Sequence, residues 1–179
     1  MSIIEPDGRD VTRTFRLDKA WDIALGKEAE KRGSSISNLL ENMVRDYINY
    51  YRWLEVFNSI TFSHETFIEF VDAIDEDTLK KLGEKVGKTA PVHEFMVRGD
   101  KLTPEVAKYF ITQLIGRYNN WCKVSDHESN HAYYYIRHDY GPKWNVFLSA
   151  YISSLYKNLL GMKIDSQVVA NNLLIKISE

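Results

Sequence analysis

The sequence has little cysteine, no long apolar run and no excess of either charge. Its single cysteine, Cys122, excludes an intrachain disulfide framework and is typical of a reducing compartment. No apolar run is long enough to span a membrane, and the polar segment Met1–Asp10 lacks the pattern of a signal peptide. We therefore expect a cytoplasmic protein without membrane partners.

The charge balance limits the kind of nucleic-acid binding that the chain can perform. It carries 23 Lys and Arg against 25 Asp and Glu, and residues 1–53 contain nine of each kind. A neutral segment makes few phosphate contacts, so its affinity for DNA depends weakly on salt. If residues 1–53 bind DNA, we expect recognition of a particular sequence rather than general coating.

Residues Thr12–Asp18 alternate as a short strand does. Phe15 and Leu17 point to one side, and Thr12, Thr14 and Arg16 point to the other. A strand this short needs a partner, and the residues that follow are helical in pattern. The simplest partner is the same strand of a second chain, which predicts an antiparallel ribbon and a homodimer.

Two helices follow this strand. Asp18 is a suitable N-cap for the first helix and Gly33 a suitable end, while Ser35 is a suitable N-cap for a second helix that reaches about Trp53. The second helix carries an apolar stripe too wide for one partner helix, which favours an intertwined dimer core. The stripe comprises Ile36, Leu39, Leu40, Met43, Val44, Tyr47, Ile48 and Tyr51.

The order strand, helix, turn, helix over residues 12–53 resembles the ribbon-helix-helix family of DNA-binding proteins. The resemblance implies an intertwined dimer that places its two-stranded ribbon in the major groove of double-stranded DNA. It also implies a sequence-specific transcriptional regulator. The bases would be read by Thr12, Thr14 and Arg16, and phosphates would be bound at the start of the second helix by Ser35, Ile36 and Ser37.

Arg13 is where the chain departs from this family, whose members often have a small apolar residue facing the core there. Either Arg13 reaches outward to a phosphate, or the ribbon begins at Thr14. Two other functions remain open: an antitoxin-like module that binds a protein partner, and a ribbon that serves dimerisation only. Whether dimers pair further into tetramers is also open.

Residues 54–90 are predicted to form a helical connector between residues 1–53 and a second domain. Ser63 and Asp75 are suitable N-caps for two helices, and Gly87 is a suitable end for the second.

Residues 91–179 are predicted to form an α/β domain. Strands are expected at Val92–Arg98, Lys123–His127, Ala132–Tyr140, Met162–Val169 and Leu173–Ile177, with helices beginning at Thr103-Pro104 and at Pro142. The first six elements have the order β-α-β-β-α-β, followed by an extra strand. This is the order of a ferredoxin-like sandwich, and the whole chain is thus of the α+β class. The domain resembles ligand-sensing domains of this architecture, so a small-molecule effector or an oligomerisation role is expected.

Polar residues near the second domain's turns suggest a ligand site. Arg137, His138 and Lys143 are candidate ligands for an anion. Cys122, His127, His131 and His138 lie close in the sequence, but their spacing matches no known zinc site, so no metal is expected. Asp139 beside His138 suits acid–base chemistry. The chain nevertheless has no nucleophile motif and no Gly-rich phosphate loop, so we expect neither an enzyme nor a bound cofactor.

Overall fold

The structure is a computed structural model that describes Gly8 and residues 11–128, 132–169 and 172–178. Residues 129–131 and 170–171, each of which lies between two predicted strands, are therefore outside the described part. The chain divides into two compact units, Met1–Ser59 and Ile60–Glu179.

The first unit is helical wherever its described residues have regular structure. Helix α1 spans Lys19–Lys31, α2 spans Ile36–Asp46, and a π-helical stretch, Tyr47–Tyr51, leads into α3, Arg52–Val56. Residues 11–18 carry no assigned secondary structure in the single chain. Because a strand is defined by its pairing, and one chain supplies no second copy of this segment, the ribbon stays a prediction.

The second unit begins with three helical segments. Helix α4 spans His64–Asp72, α5 spans Glu76–Arg98, and α6, Pro104–Tyr109, continues as a π-helical stretch, Phe110–Tyr118. The predicted N-caps are confirmed: Ser63, Asp75 and Thr103 each accept a hydrogen bond from a backbone N–H of the helix that follows.

The predicted strand Val92–Arg98 is wrong, because these residues form the last turns of α5. The helix also continues through Gly87, the predicted end, and through Pro91, and it stops at Gly99, whose φ is 75°. Packing explains the difference. A Cβ on Gly83 would lie 2.6 Å from the carbonyl oxygen of Phe147, and one on Gly87 would overlap the carbonyl of Tyr151. These glycines allow two helices to approach closely, and they do not end α5.

A four-stranded antiparallel sheet completes the second unit. Strands β1, Lys123–Glu128, and β2, Ala132–Arg137, form one hairpin; β3, Lys163–Val169, and β4, Asn172–Ser178, form another. Helix α7, Pro142–Ser154, and a π-helical stretch, Leu155–Leu159, connect the hairpins. The spatial order is β1-β2-β4-β3, with β2 and β4 paired at the centre.

The mixture of helices and an antiparallel sheet agrees with the predicted α+β class. The order of the elements differs from the predicted ferredoxin-like order. A ferredoxin-like domain needs a strand before α6, and the residues expected there are helical. From α6 onward the described elements follow the order helix, two strands, helix, two strands.

The core of the second unit lies between one side of the sheet and the helices. Leu173, Ile175 and Ile177 of β4 are buried, alternating with partly exposed neighbours. On the helix side, Leu148 and Ile152 of α7 are fully buried. The opposite side of the sheet is therefore not part of this core.

Candidate functional site

The segment predicted to read DNA is exposed along its whole length. Thr12, Arg13, Thr14 and Arg16 are all exposed, as expected for side chains that contact a ligand. Phe15 is also 63% exposed, although its predicted place is a dimer core. The single chain therefore leaves both sides of this segment uncovered.

The helix pair after this segment is shaped by local hydrogen bonds that the sequence indicated. The carboxylate of Asp18 accepts a hydrogen bond from the N–H of Ala20 at 2.8 Å and thereby caps α1. Gly33 adopts a φ of 61°, and the N–H of Ser34 donates to the carbonyl of Ala29. The turn between α1 and α2 thus depends on a glycine in the left-handed region.

The start of α2, where the sequence predicts phosphate binding, is a capped helix N-terminus. Ser35 caps the helix, its hydroxyl oxygen accepting from the N–H of Asn38 at 3.1 Å. Ser35 and Ser37 are exposed, and Ile36 is half-buried. The first N–H groups of a helix have no partner within the helix, and the helix dipole favours an anion there.

An apolar face of the first unit is left uncovered. Within the stripe predicted on the second helix, Leu39 is buried, whereas Met43, Val44, Tyr47 and Tyr51 are 51–60% exposed. Val11, Leu17, Trp21, Ile23 and Val56 are further large apolar side chains exposed in this unit. An apolar surface of this kind typically marks a protein–protein interface.

A small cleft in the second unit contains two of the three predicted anion ligands. The cleft measures about 70 Å³, and its lining includes Lys123, Arg137 and His138 together with one acidic residue, Asp139. Lys123 and Arg137 are direct partners on the adjacent strands β1 and β2, and both are exposed. No carboxylate pairs with either cation in the part of the chain that the structure describes. Like charges placed directly opposite each other destabilise a sheet, and a bound anion would relieve this cost.

Lys143 does not line this cleft. Its ammonium donates to the carbonyl oxygens of Asp72 and Ile74, at 2.7 and 2.8 Å. Asp72 is the last residue of α4, so Lys143 satisfies carbonyls at a helix end, which lack partners within the helix. Lys123 lies in the cleft instead. Sequence reasoning missed Lys123 because only the strand register places it beside Arg137.

His138 is held by hydrogen bonds at both ring nitrogens. The N–H of Tyr140 donates to Nδ1 at 3.3 Å, so Nε2 carries the proton and donates to Oδ1 of Asn145 at 2.8 Å. Burial lowers the pKa of His138 below its usual value of 6.5, which favours this neutral form. Through these two hydrogen bonds, His138 links the end of β2 to α7 and to the backbone of the loop between them.

The histidine and cysteine residues do not form a metal site in the described part of the chain. No group of three or more His, Cys, Asp or Glu side chains converges among the described residues, and His131 lies outside them. Cys122 is buried, and burial raises the pKa of its thiol to about 12, so it stays protonated at neutral pH.

Comparisons with protein-family models, with curated proteins and with solved structures found no match for this chain. Within the described residues, no helix has both the length and the apolar character needed to cross a membrane.

Proposed function

We propose that this protein is a homodimeric, sequence-specific DNA-binding regulator that reads double-stranded DNA with residues 12–16. The observation that carries the proposal is an exposed alternating segment joined to a capped helix pair whose apolar face is uncovered. Phe15 and Val44 are large apolar side chains that remain exposed in a single chain, and contact with a second chain would cover them.

Dimerisation follows from the uncovered apolar face. Two copies related by a two-fold axis would pair Thr12–Asp18 antiparallel, and Phe15 and Leu17 would then cover the exposed helix residues. A unit of this size gains little from its own core, so a shared core supplies stability that one copy lacks.

DNA recognition follows from the ribbon that dimerisation would create. A two-stranded ribbon fits the major groove, where an arginine donates two hydrogen bonds to a guanine and a threonine contacts base edges. Thr12, Thr14 and Arg16 would face the groove. Arg13 and the start of α2 at Ser35–Ser37 would contact phosphates and set the register.

The second unit would sense an effector in this proposal. The unpaired Lys123 and Arg137 at the cleft provide a place for a small anion, which could alter the arrangement of two DNA-bound units. Inorganic phosphate is a suitable first probe of this cleft.

The proposal is tested by selecting DNA from a random duplex library with the full chain and sequencing the bound fraction. We expect an enriched, symmetric sequence. Arg16→Ala should weaken binding to that sequence by about 1–3 kcal/mol for each good bidentate contact and relax the preference for one base. Lys27→Ala, an exposed cation of α1, is the matched control and should change neither.

Two outcomes would contradict the proposal. One is the absence of any enriched sequence across several salt concentrations, which would support a ribbon used for dimerisation alone. The other is an Arg16→Ala variant with unchanged affinity and preference, which would exclude Arg16 as a base reader.

A further inference from the structure

The side of the sheet that faces away from the helices forms a second surface with its own chemistry. We call it the open face; it consists of the odd-numbered residues of β1, β2 and β3 and the even-numbered residues of β4. The register establishes this, since buried Ile136 lies opposite buried Leu173, whereas Tyr135 lies opposite Leu174 on the other side. Contacts with the helices support this assignment of the two sides. On the helix side, Asp126 forms a salt bridge with Lys108, and Ser166 forms a hydrogen bond with Ser149.

Positive charge is concentrated on the open face. Its described residues include four cations, Lys123, Arg137, Lys163 and Lys176, and a single carboxylate, Asp165. The chain as a whole has a net charge of −2, so this face differs in sign from the rest of the protein. A surface with several cations and one carboxylate attracts a polyanion.

Two tyrosines occupy the middle of this face. Tyr133 and Tyr135 are two residues apart on the central strand β2, so their Cα atoms are separated by about 6.6 Å along the strand. Both are half-buried, so part of each side chain remains accessible. Lys176 is the register partner of Tyr133, so a cation lies beside the pair. Aromatic rings interleaved with cations are the usual surface on which unpaired bases stack.

The shape of the open face distinguishes single strands from a duplex. Four strands spaced about 4.8 Å apart place the outer strands about 14 Å from each other. The major groove of B-DNA is about 12 Å wide and admits an α-helix or a two-stranded ribbon, but not a four-stranded sheet face on. A sheet face of this width can instead support a strand whose bases are unstacked and splayed.

We propose that the open face binds single-stranded nucleic acid, with bases stacked on Tyr133 and Tyr135 and phosphates contacted by Lys123, Arg137, Lys163 and Lys176. This activity does not depend on the proposed reading of DNA by residues 12–16, because it uses another unit of the chain and another form of nucleic acid; it shares Lys123 and Arg137 with the cleft proposed for an effector. The Lys123–Arg137 pair belongs to both the open face and the cleft, so a bound strand would also place a phosphate there.

The test measures fluorescence anisotropy of labelled deca-thymidylate, decauridylate and a ten-base-pair duplex titrated with the full chain. Tyr133→Leu combined with Tyr135→Leu should weaken binding of the single strands at least tenfold. Tyr133→Phe combined with Tyr135→Phe keeps both rings and should bind as the wild type does. Circular dichroism and thermal melting establish that each variant is folded.

Charge variants provide the second arm. Lys163→Ala combined with Lys176→Ala should reduce the salt dependence of binding, by about 0.7 in logarithmic slope for each phosphate that the protein no longer neutralises. Lys81→Ala combined with Lys85→Ala removes the same charge from α5 and should leave single-strand binding unchanged, as should Arg16→Ala. A preference between the uridylate strand and a deoxyuridylate strand of the same length, which differ only in the 2′-hydroxyl, identifies the natural sugar.

The proposal is overturned if the folded Leu variant binds single strands as tightly as the wild type does. It is also overturned if the α5 variant loses as much affinity as the open-face variant, because binding would then be unspecific. A duplex that binds more tightly than either single strand, and depends on Tyr133 and Tyr135, would overturn it too.

Discussion

The two units of this protein use their apolar residues differently. In the described residues of Met1–Ser59, only Ala29, Leu39 and Tyr50 are buried apolar side chains, whereas the second unit has 22 buried apolar side chains. The first unit instead exposes ten large apolar side chains, Phe15, Trp21 and Val44 among them. Its apolar pattern is thus available for contact with another chain, while that of the second unit forms its own core.

The largest effect is expected from a substitution in the apolar face of the first unit, and it is an effect on dimer formation. Val44→Asp should dissociate the predicted dimer, because burying each valine contributes about 1.5–3 kcal/mol and a two-fold axis doubles every contact. Sedimentation equilibrium should show a dissociation constant raised at least a hundredfold. Met96→Asp, an exposed apolar residue of the second unit, should leave the dimer intact. A wild-type chain that is monomeric at every concentration would contradict this difference between the units.

A core substitution in the second unit should have the next largest effect. Leu148 is fully buried in α7, so Leu148→Ala should lower the free energy of unfolding by about 2–5 kcal/mol. Urea unfolding followed by tryptophan fluorescence measures the change. Leu17→Ala, at 38% exposure, is the control in the first unit and should cost far less when measured in the Val44→Asp background. If Leu148→Ala and Leu17→Ala lowered the free energy of unfolding equally, the second unit would not differ from the first in having its own core.

Alanine substitutions at two helix glycines should change the stability of the folded chain in opposite directions. Gly87→Ala should destabilise the chain by about 1–3 kcal/mol, since its Cβ would collide with the backbone of α7. Gly26→Ala in α1 should stabilise by about 0.5–1 kcal/mol, because its Cβ would lie 3.9 Å from Ile36, an ordinary contact. Thermal melts of the two variants test the comparison, and a stabilising Gly87→Ala would disprove the packing role of that glycine.

The smallest expected effect concerns pH. Burial lowers the pKa of folded His138 below 6.5, so the unfolded chain binds the proton more readily than the folded chain does. Stability should therefore fall as the pH drops below 6.5, and this loss should be absent from His138→Gln. Urea unfolding of both proteins between about pH 5 and pH 7.5 isolates His138, because other titrating groups are common to them. A parallel pH dependence in both would show that folding does not lower the pKa of His138.

Local signals predicted much of the second unit, and packing explains where they failed. Ser63, Asp75 and Thr103 cap helices as expected, because a cap depends on residues two or three positions away. Gly87 was misleading since a glycine that ends a helix and one that admits a neighbouring helix look alike in sequence. The β-branched and aromatic content of Val92–Arg98 likewise predicted a strand, but these residues form the last turns of α5, where Phe95 is buried against Phe110.

At the candidate sites, too, local sequence signals predicted less than contacts between distant residues decided. Thr12, Thr14 and Arg16 are exposed, but so are Phe15 and Leu17 between and beside them, so the alternation, the pairing and the contact with DNA all stay predictions. Arg137 and His138 line one cleft as expected. Lys123 takes the place predicted for Lys143 in the candidate anion site, because the sequence does not encode strand register or which carbonyls need a donor.

The sequence by itself determined the α+β class, most element boundaries and the helix caps, because each depends on neighbours within a few positions. Only the tertiary structure decided the strand order, the length of α5 and the charge of the open face. It also decided which apolar residues remain uncovered. These features depend on contacts between residues far apart in the chain, and periodicity does not encode the partner of a contact.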